Sequence, residues 1–122
     1  MMNDCIFCKI IKKEIPARVI YEDDVVMVYL DITPIQTGHT LIIPKTHYKD
    51  LDDIKDETLN HIMKIAKNIK KLIEERLEPD GLQLVQNNGN LQEVKHYHLH
   101  LIPNYINDNK LSLDEVFEKL TK

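Results

Sequence analysis

His96, His98 and His100 stand at alternate positions of the stretch His96-Tyr-His-Leu-His-Leu-Ile102. Imidazole titrates near neutral pH, so it can act there as base, acid or nucleophile. The segment Tyr97 to Ile102 reads as a strand ended by Pro103. Successive strand side chains point to opposite faces, which puts the three imidazoles on one face and Tyr97, Leu99 and Leu101 on the other. Same-face neighbours lie roughly 6.5–7 Å apart, from a rise of about 3.3 Å per residue, so one small substrate could touch all three. Imidazole attack at phosphorus is a route to phosphoryl or nucleotidyl transfer. The middle ring, His98, is the natural nucleophile, since it has a partner on each side. The flanking rings can donate to phosphate oxygens or fix its tautomer. Such a row also suits a metal site, or the polar face of an exposed strand. A second pattern, C-x-x-C at Cys5 and Cys8, reads in a reducing compartment as metal ligation or redox chemistry before a structural disulfide.

Several elements must position these residues. Ile6, Phe7, Ile10 and Ile11 have the spacing of one short helix, ended by Pro16. Arg18 to Tyr21 and Val25 to Leu30 read as strands of a hairpin around the turn Glu22-Asp23-Asp24. Asp31 to Gly38 is a loop, and Thr40 to Ile43 a strand closed by Pro44. Between Asp56 and Leu77, Leu59, Ile62, Met63, Ala66, Ile69, Leu72, Ile73 and Leu77 form one apolar stripe at helical period. Pro79-Asp80-Gly81 stops that helix. Leu82 to Val85 is a strand, Asn87-Asn88-Gly89 a turn, and Ser112-Leu-Asp-Glu115 a capping box that opens a short last helix. Short strands joined by turns around one long helix predict an α+β domain with an antiparallel sheet.

The chain has 122 residues, 43% of them hydrophobic, which fits a single domain over 1–122 with a modest core that a homodimer would extend. A formal charge of -4 argues against binding duplex nucleic acid, which takes a basic face, while leaving room for a local anion site. No stretch has the length and apolarity of a membrane span, and Met1 to Lys13 lacks the apolar run of a secretion signal. Cytoplasmic location is the default expectation.

The row His96-Tyr-His-Leu-His-Leu-Ile102 resembles the H-φ-H-φ-H-φ-φ signature of the histidine-triad family, where φ is an apolar residue. Cys5-Ile-Phe-Cys-Lys-Ile-Ile11, Glu14-Ile-Pro16, Tyr21-Glu-Asp23, Leu30-Asp-Ile32 and Gly38-His-Thr-Leu-Ile-Ile-Pro-Lys-Thr-His47 resemble further blocks of that family, in its order. The resemblance implies a five-stranded, mainly antiparallel sheet with one long helix and short terminal helices, in a homodimer that joins two sheets. It implies that His98 is the nucleophile and that His100 lies against the phosphate. His96 and His39 would form a hydrogen-bonded relay that orients His98. Asp31 would hold the ribose, and Ile6, Phe7, Ile10, Tyr29, Ile32 and Leu41 the base. Asn87 would lie near the phosphate, with Val94 lining the substrate site. Gln92 would position the leaving group or water. Glu93 departs from the family pattern, where a hydroxyl residue is common. A carboxylate there could serve a basic leaving group or disfavour an anionic one.

Cys5, Cys8, His47 and His96 match the ligands of the zinc-binding members, implying a closed, structural Zn²⁺ site. His61 lies outside every block and reads as a surface residue. The leading expectation is hydrolysis of purine nucleoside phosphoramidates or related nucleoside-monophosphate conjugates. The alternatives are hydrolysis of dinucleoside polyphosphates and a nucleotide-binding regulator with little turnover. The segment from Asn104 to Lys122 matches no block. It could pack on a dimer partner or cover the sheet.

Overall fold

The computed structural model describes residues 5–107 and 109–122. The elements run α1 (Ile6–Ile11), β1 (Val19–Glu22), β2 (Val26–Leu30), β3 (Thr40–Pro44), α2 (Asp56–Leu77), β4 (Gly81–Val85), a single 3-10 turn (Gly89–Leu91), β5 (Leu99–Asn104) and α3 (Leu113–Thr121). The strands form one sheet in the order β1-β2-β3-β5-β4, every neighbouring pair antiparallel. This is the α+β arrangement that the sequence predicts.

Strands β2 and β3 are buried along their whole length, and alternate residues enter two different cores. Val26, Val28, Leu30 and Ile42 join α2 in the larger one. Met27, Tyr29, Leu41 and Ile43 meet Phe7 and Ile10 of α1 in the smaller. A strand covered on both faces reads as a continuous apolar run, which is why the hairpin was visible as a β-branched block.

Helix α2 has the predicted limits, and Glu78 ends it in the left-handed region at φ 51°. Its stripe is slightly rotated from the expected one. Ile65 is buried with Ile62, Ala66, Ile69, Ile73 and Leu77, while Met63 stays 43% exposed. At 3.6 residues per turn, positions 65, 66, 69 and 73 cluster around the direction of Ile62, and Met63 points about 100° away from it. His61 is more than a surface residue. Its Nε2 donates to Asp23 Oδ2 at 2.7 Å, and Asp23 Oδ1 accepts from the backbone of Val25 and Val26. The helix is thereby tied to the β1–β2 turn.

Strand β5 begins two residues later than Tyr97, because the Tyr97 N–H goes to the Tyr48 carbonyl at 2.7 Å. It also runs through Pro103. Pairing with β3 ends at Leu101, so Pro103 has only β4 beside it and its missing N–H costs no ladder bond there. Gly38, at φ +90°, packs where a Cβ would lie 2.6 Å from Leu77 Cδ1 and 3.2 Å from Pro103 Cγ. Only glycine meets both demands, and the chain turns there straight into His39.

The capping box forms as predicted, with Ser112 Oγ accepting from the Glu115 N–H and Glu115 Oε1 from the Ser112 N–H. Val116 and Leu120 join the larger core beside α2, and Arg18 pairs with Asp114. The last helix therefore covers the sheet of its own chain. No helix among the described residues is long and apolar enough to cross a membrane.

Candidate active site and metal centre

The three histidines divide between two sites, where the sequence predicts one shared face. Only His100 lies in β5; His96 and His98 precede it. His98 and His100 stand ring to ring at 4.7 Å and line one cavity with Asn87, Glu93, Ile35, Val85 and Ile102. His96 is fully buried and turns instead toward Cys5, Cys8 and His47. The extended ladder that would keep all three rings in register is not formed at residues 96–98.

Hydrogen bonds assign the imidazole tautomers, since a carbonyl can only accept. His98 Nδ1 donates to the His96 carbonyl at 2.8 Å. Its Nε2 therefore carries the free lone pair. His39 Nδ1 accepts from the Ile35 N–H at 3.1 Å, so its Nε2 bears the proton and donates to His100 Nδ1 at 2.9 Å. That leaves the His100 Nε2 as an N–H donor. The chain Ile35, His39, His100 thus passes hydrogen bonds in one direction. The expected relay from His39 through the ring of His96 is not what is seen. His39 pairs with His100, and it is the backbone carbonyl of His96 that holds His98.

Burial disfavours charge on all of these rings. It lowers the pKa of His98 against weaker opposing pulls from the His96 carbonyl, Asp31 and Glu93. Burial, and then repulsion from His98 and His39, push His100 down to about 4. His39 is lowered too, again by burial, although the Asp31 charge opposes it. Asp31 Oδ1 accepts from the Thr33 N–H and hydroxyl, and its Oδ2 lies 3.6 Å from His39 Nε2. The site is a row of neutral imidazoles with one bare nitrogen, that of His98.

A second, mostly apolar cavity lies on the other side of Phe7. It is lined by Ile6, Phe7, Ile10, Tyr29, Leu41 and Ile32, as expected, with Asp31 beside them and Ile15, Pro16 and Ala17 added. The Phe7 ring meets His98 edge-on at 5.0 Å, so the two cavities adjoin at His98. Ile15 and Pro16 come from a block that the sequence singled out without a role. Ile35, Val85 and Ile102 were not foreseen as walls, and nothing in their types or spacing marks them. Val94 packs against the α1 core and is not part of either cavity wall.

Gln92 departs from its expected place. It is 6% exposed, its Nε2 donates to the Lys49 carbonyl at 2.7 Å, and it does not line the His98 cavity. Its N–H closes the 3-10 turn on the Gly89 carbonyl, which directs the side chain under the loop. Gln92 anchors the loop that carries Glu93 and leaves the cavity to its neighbour.

The other cluster has the geometry of a metal centre. Ligand atoms of Cys5, Cys8, His47 and His96 all lie within 4.8 Å of one another. Cys5 Sγ is 3.4 Å from His96 Nδ1, Cys8 Sγ is 3.2 Å from His47 Nδ1, and the two Nδ1 atoms are 3.1 Å apart. Zinc bonds of about 2.3 Å to sulfur and 2.05 Å to nitrogen give tetrahedral edges of roughly 3.6 Å for N to S and 3.3 Å for N to N. The donor set fits. His96 Nε2 donates to the Pro44 carbonyl at 2.8 Å, which places its lone pair on the Nδ1 that faces the thiols, the support a metal-binding histidine needs. Without a cation, burial and the adjacent Cys5 push the Cys8 thiol up to about 11.

Asp31, His39 and His100 also bring three ligand-type atoms within 4.8 Å. Here the Nδ1 lone pair of His39 is used by the Ile35 N–H and its Nε2 carries a proton, so the arrangement holds a hydrogen bond where the other could hold an ion.

The HIT domain pattern matches residues 12–107, and this chain belongs to the HIT family. An uncharacterised HIT-like protein of Methanocaldococcus jannaschii is 43% identical over 129 residues, 95% of this chain and 98% of that protein. The adenosine 5′-monophosphoramidase of Saccharomyces cerevisiae is 48% identical over 101 residues, 81% of this chain and 61% of that enzyme. The adenylylsulfatase of Arabidopsis thaliana is 38% identical over 105 residues, 84% of this chain and 53% of that enzyme. Among solved structures, a zinc-bound histidine triad family protein of Mycobacterium smegmatis superimposes with a TM-score of 0.91 at 35% identity, covering 99% of this chain and 93% of that one.

Proposed function

We propose that this protein is a nucleotide hydrolase that splits nucleoside 5′-phosphoramidates, or related conjugates of a nucleoside monophosphate, through a nucleotidyl intermediate on His98. One observation carries the reading. His98 is a buried neutral imidazole whose Nδ1–H is held by a backbone carbonyl and whose Nε2 is free beside the His100 donor. A nucleophile needs that arrangement, and a simple binding site does not.

In this reading the apolar cavity beside Phe7 takes a purine, and Asp31 at its rim accepts from the ribose hydroxyls. His98 Nε2 attacks the α-phosphorus while the bond to the leaving group breaks, and the His100 N–H stabilises charge on a phosphoryl oxygen. Water then releases the nucleoside monophosphate and restores His98. The carbonyl of His96 steadies the imidazolium character that His98 acquires in between. Similarity to a monophosphoramidase and to an adenylylsulfatase supports attack at a nucleotide phosphorus and leaves the leaving group open.

Zinc held by Cys5, Cys8, His47 and His96 would be structural, with four protein ligands and no place for a reacting water. It would fix α1, and with it Ile6, Phe7 and Ile10, against the strand that carries the nucleophile. The edge position of β4 and its 40% exposed Leu84 suit pairing with a second copy of the chain. The two free thiols suit a reducing, cytoplasmic compartment.

The test is release of AMP from adenosine 5′-phosphoramidate. His98→Ala should lower the rate by about three orders of magnitude or more while AMP still binds. A wild type that binds AMP and releases none contradicts the phosphoramidase reading.

A further inference from the structure

The cavity beside His98 holds about 120 Å³ and is lined by one acidic side chain, Glu93. Its remaining walls are the aliphatic Ile35, Val85 and Ile102 and the uncharged polar Asn87, His98 and His100, and no lysine or arginine lines it. Such a space can take the substituent on a phosphate held over His98, because the nucleoside cavity lies on the opposite, Phe7 side.

No described residue forms an ion pair or a hydrogen bond with Glu93. The cation two residues on, Lys95, donates to the Gly89 carbonyl. The anchoring of Gln92 on Lys49 holds the loop so that the next side chain, Glu93, faces the cavity. A group departing from phosphorus therefore leaves into a space whose one charged wall is the solvent-exposed carboxylate of Glu93.

We propose that Glu93 is the specificity-determining residue for the leaving group, selecting conjugates that release an amine and rejecting those that release an anion. The proposal rests on the assignment of His98 as nucleophile. The two leaving-group classes differ in what happens to charge. As His98 Nε2 bonds to phosphorus, the P–N bond of a phosphoramidate breaks with its electron pair going to nitrogen. That nitrogen takes a proton from solvent and departs as an amine, which becomes ammonium. The water that later cleaves the phosphorus–His98 bond returns a proton, so water alone is consumed. Glu93 attracts the positive charge that develops on nitrogen. When the leaving group is sulfate or a nucleotide phosphate, negative charge grows on the departing oxygen, and the same carboxylate opposes it. A serine or threonine at this position would be indifferent to that sign.

The experiment compares kcat/KM for adenosine 5′-phosphoramidate and adenosine 5′-phosphosulfate, in wild type and in Glu93→Gln, which keeps size and removes charge. The ratio of amidate to sulfate should fall at least about tenfold in Glu93→Gln, by loss on the amidate and gain on the sulfate. Raising the salt concentration should narrow the wild-type ratio and leave that of the variant almost unchanged. Unfolding temperature should not move, since the side chain has no partner to lose, so a merely structural role would not produce this pattern. A ratio that stays within about twofold, with the amidate still cleaved, overturns the proposal and spares the role of His98. A wild type that cleaves neither conjugate overturns both.

Discussion

Two clusters of histidine lie back to back in this protein, and their residue types barely distinguish them. His47 and His96 sit with two thiols; His39 and His100 sit with Asp31 and lean on His98. What separates them is the far nitrogen of each ring. His96 donates its proton to the Pro44 carbonyl, so its lone pair faces the thiols of Cys5 and Cys8 and the Nδ1 of His47. His39 spends its lone pair on the Ile35 N–H, so its proton points at His100 and the rings run donor to acceptor. The first arrangement offers a cation two thiols and two imidazole nitrogens. The second is complete without one and ends in a donor beside His98. Backbone groups thus decide which cluster is suited to hold a cation and which carries a chain of hydrogen bonds toward His98.

That contrast is most sharply broken at His39. His39→Ala removes the donor to His100 while leaving every thiol and imidazole of the other cluster in place. It should reduce kcat/KM for the phosphoramidate by about a hundredfold, with much smaller change in the affinity for AMP. Steady-state kinetics beside equilibrium binding would show the split. An equal loss of both would mean that His39 builds the pocket and has no part in orienting the donor.

A smaller effect follows from charge. His100 is half-buried among His98, His39 and Asp31, and that burial followed by the two neighbouring rings holds it down to about 4. In the unfolded chain an imidazole titrates near about 6.5. Between those values the unfolded chain binds a proton that the folded one refuses. The stability tied to His100 is therefore complete above about pH 6.5 and is lost as the pH falls toward 4. Replacing it by an amide in His100→Gln should flatten that acid limb in a series of thermal melts. A limb of unchanged steepness would assign the acid sensitivity to other groups.

Much of the frame was legible because it is local. Helix α2 begins and ends where its apolar period and Pro79-Asp-Gly81 place it, and the capping box at Ser112 formed as written. Phe7, Ile10 and Leu41 were readable as one pocket through their resemblance to family blocks. The failures share a cause. The tautomer of His96 depends on a carbonyl 52 residues away, and Tyr97 leaves the ladder for the carbonyl of Tyr48. Gln92 turns to Lys49, 43 residues off. Residue types and period fix which groups are nearby along the chain, whereas these choices are made by backbone atoms brought in by the fold. Glu93 is the reverse case, a departure from pattern whose cavity position gave it a meaning that sequence left open.

The division between the clusters can be measured directly as zinc per chain in protein purified without chelator, for the wild type, Cys8→Ser and His39→Ala. A closed site of two thiolates and two imidazoles predicts about one zinc per chain in the wild type, a marked loss in Cys8→Ser and no change in His39→Ala. Zinc that survives Cys8→Ser but falls in His39→Ala, or a wild type that carries none, would contradict the account.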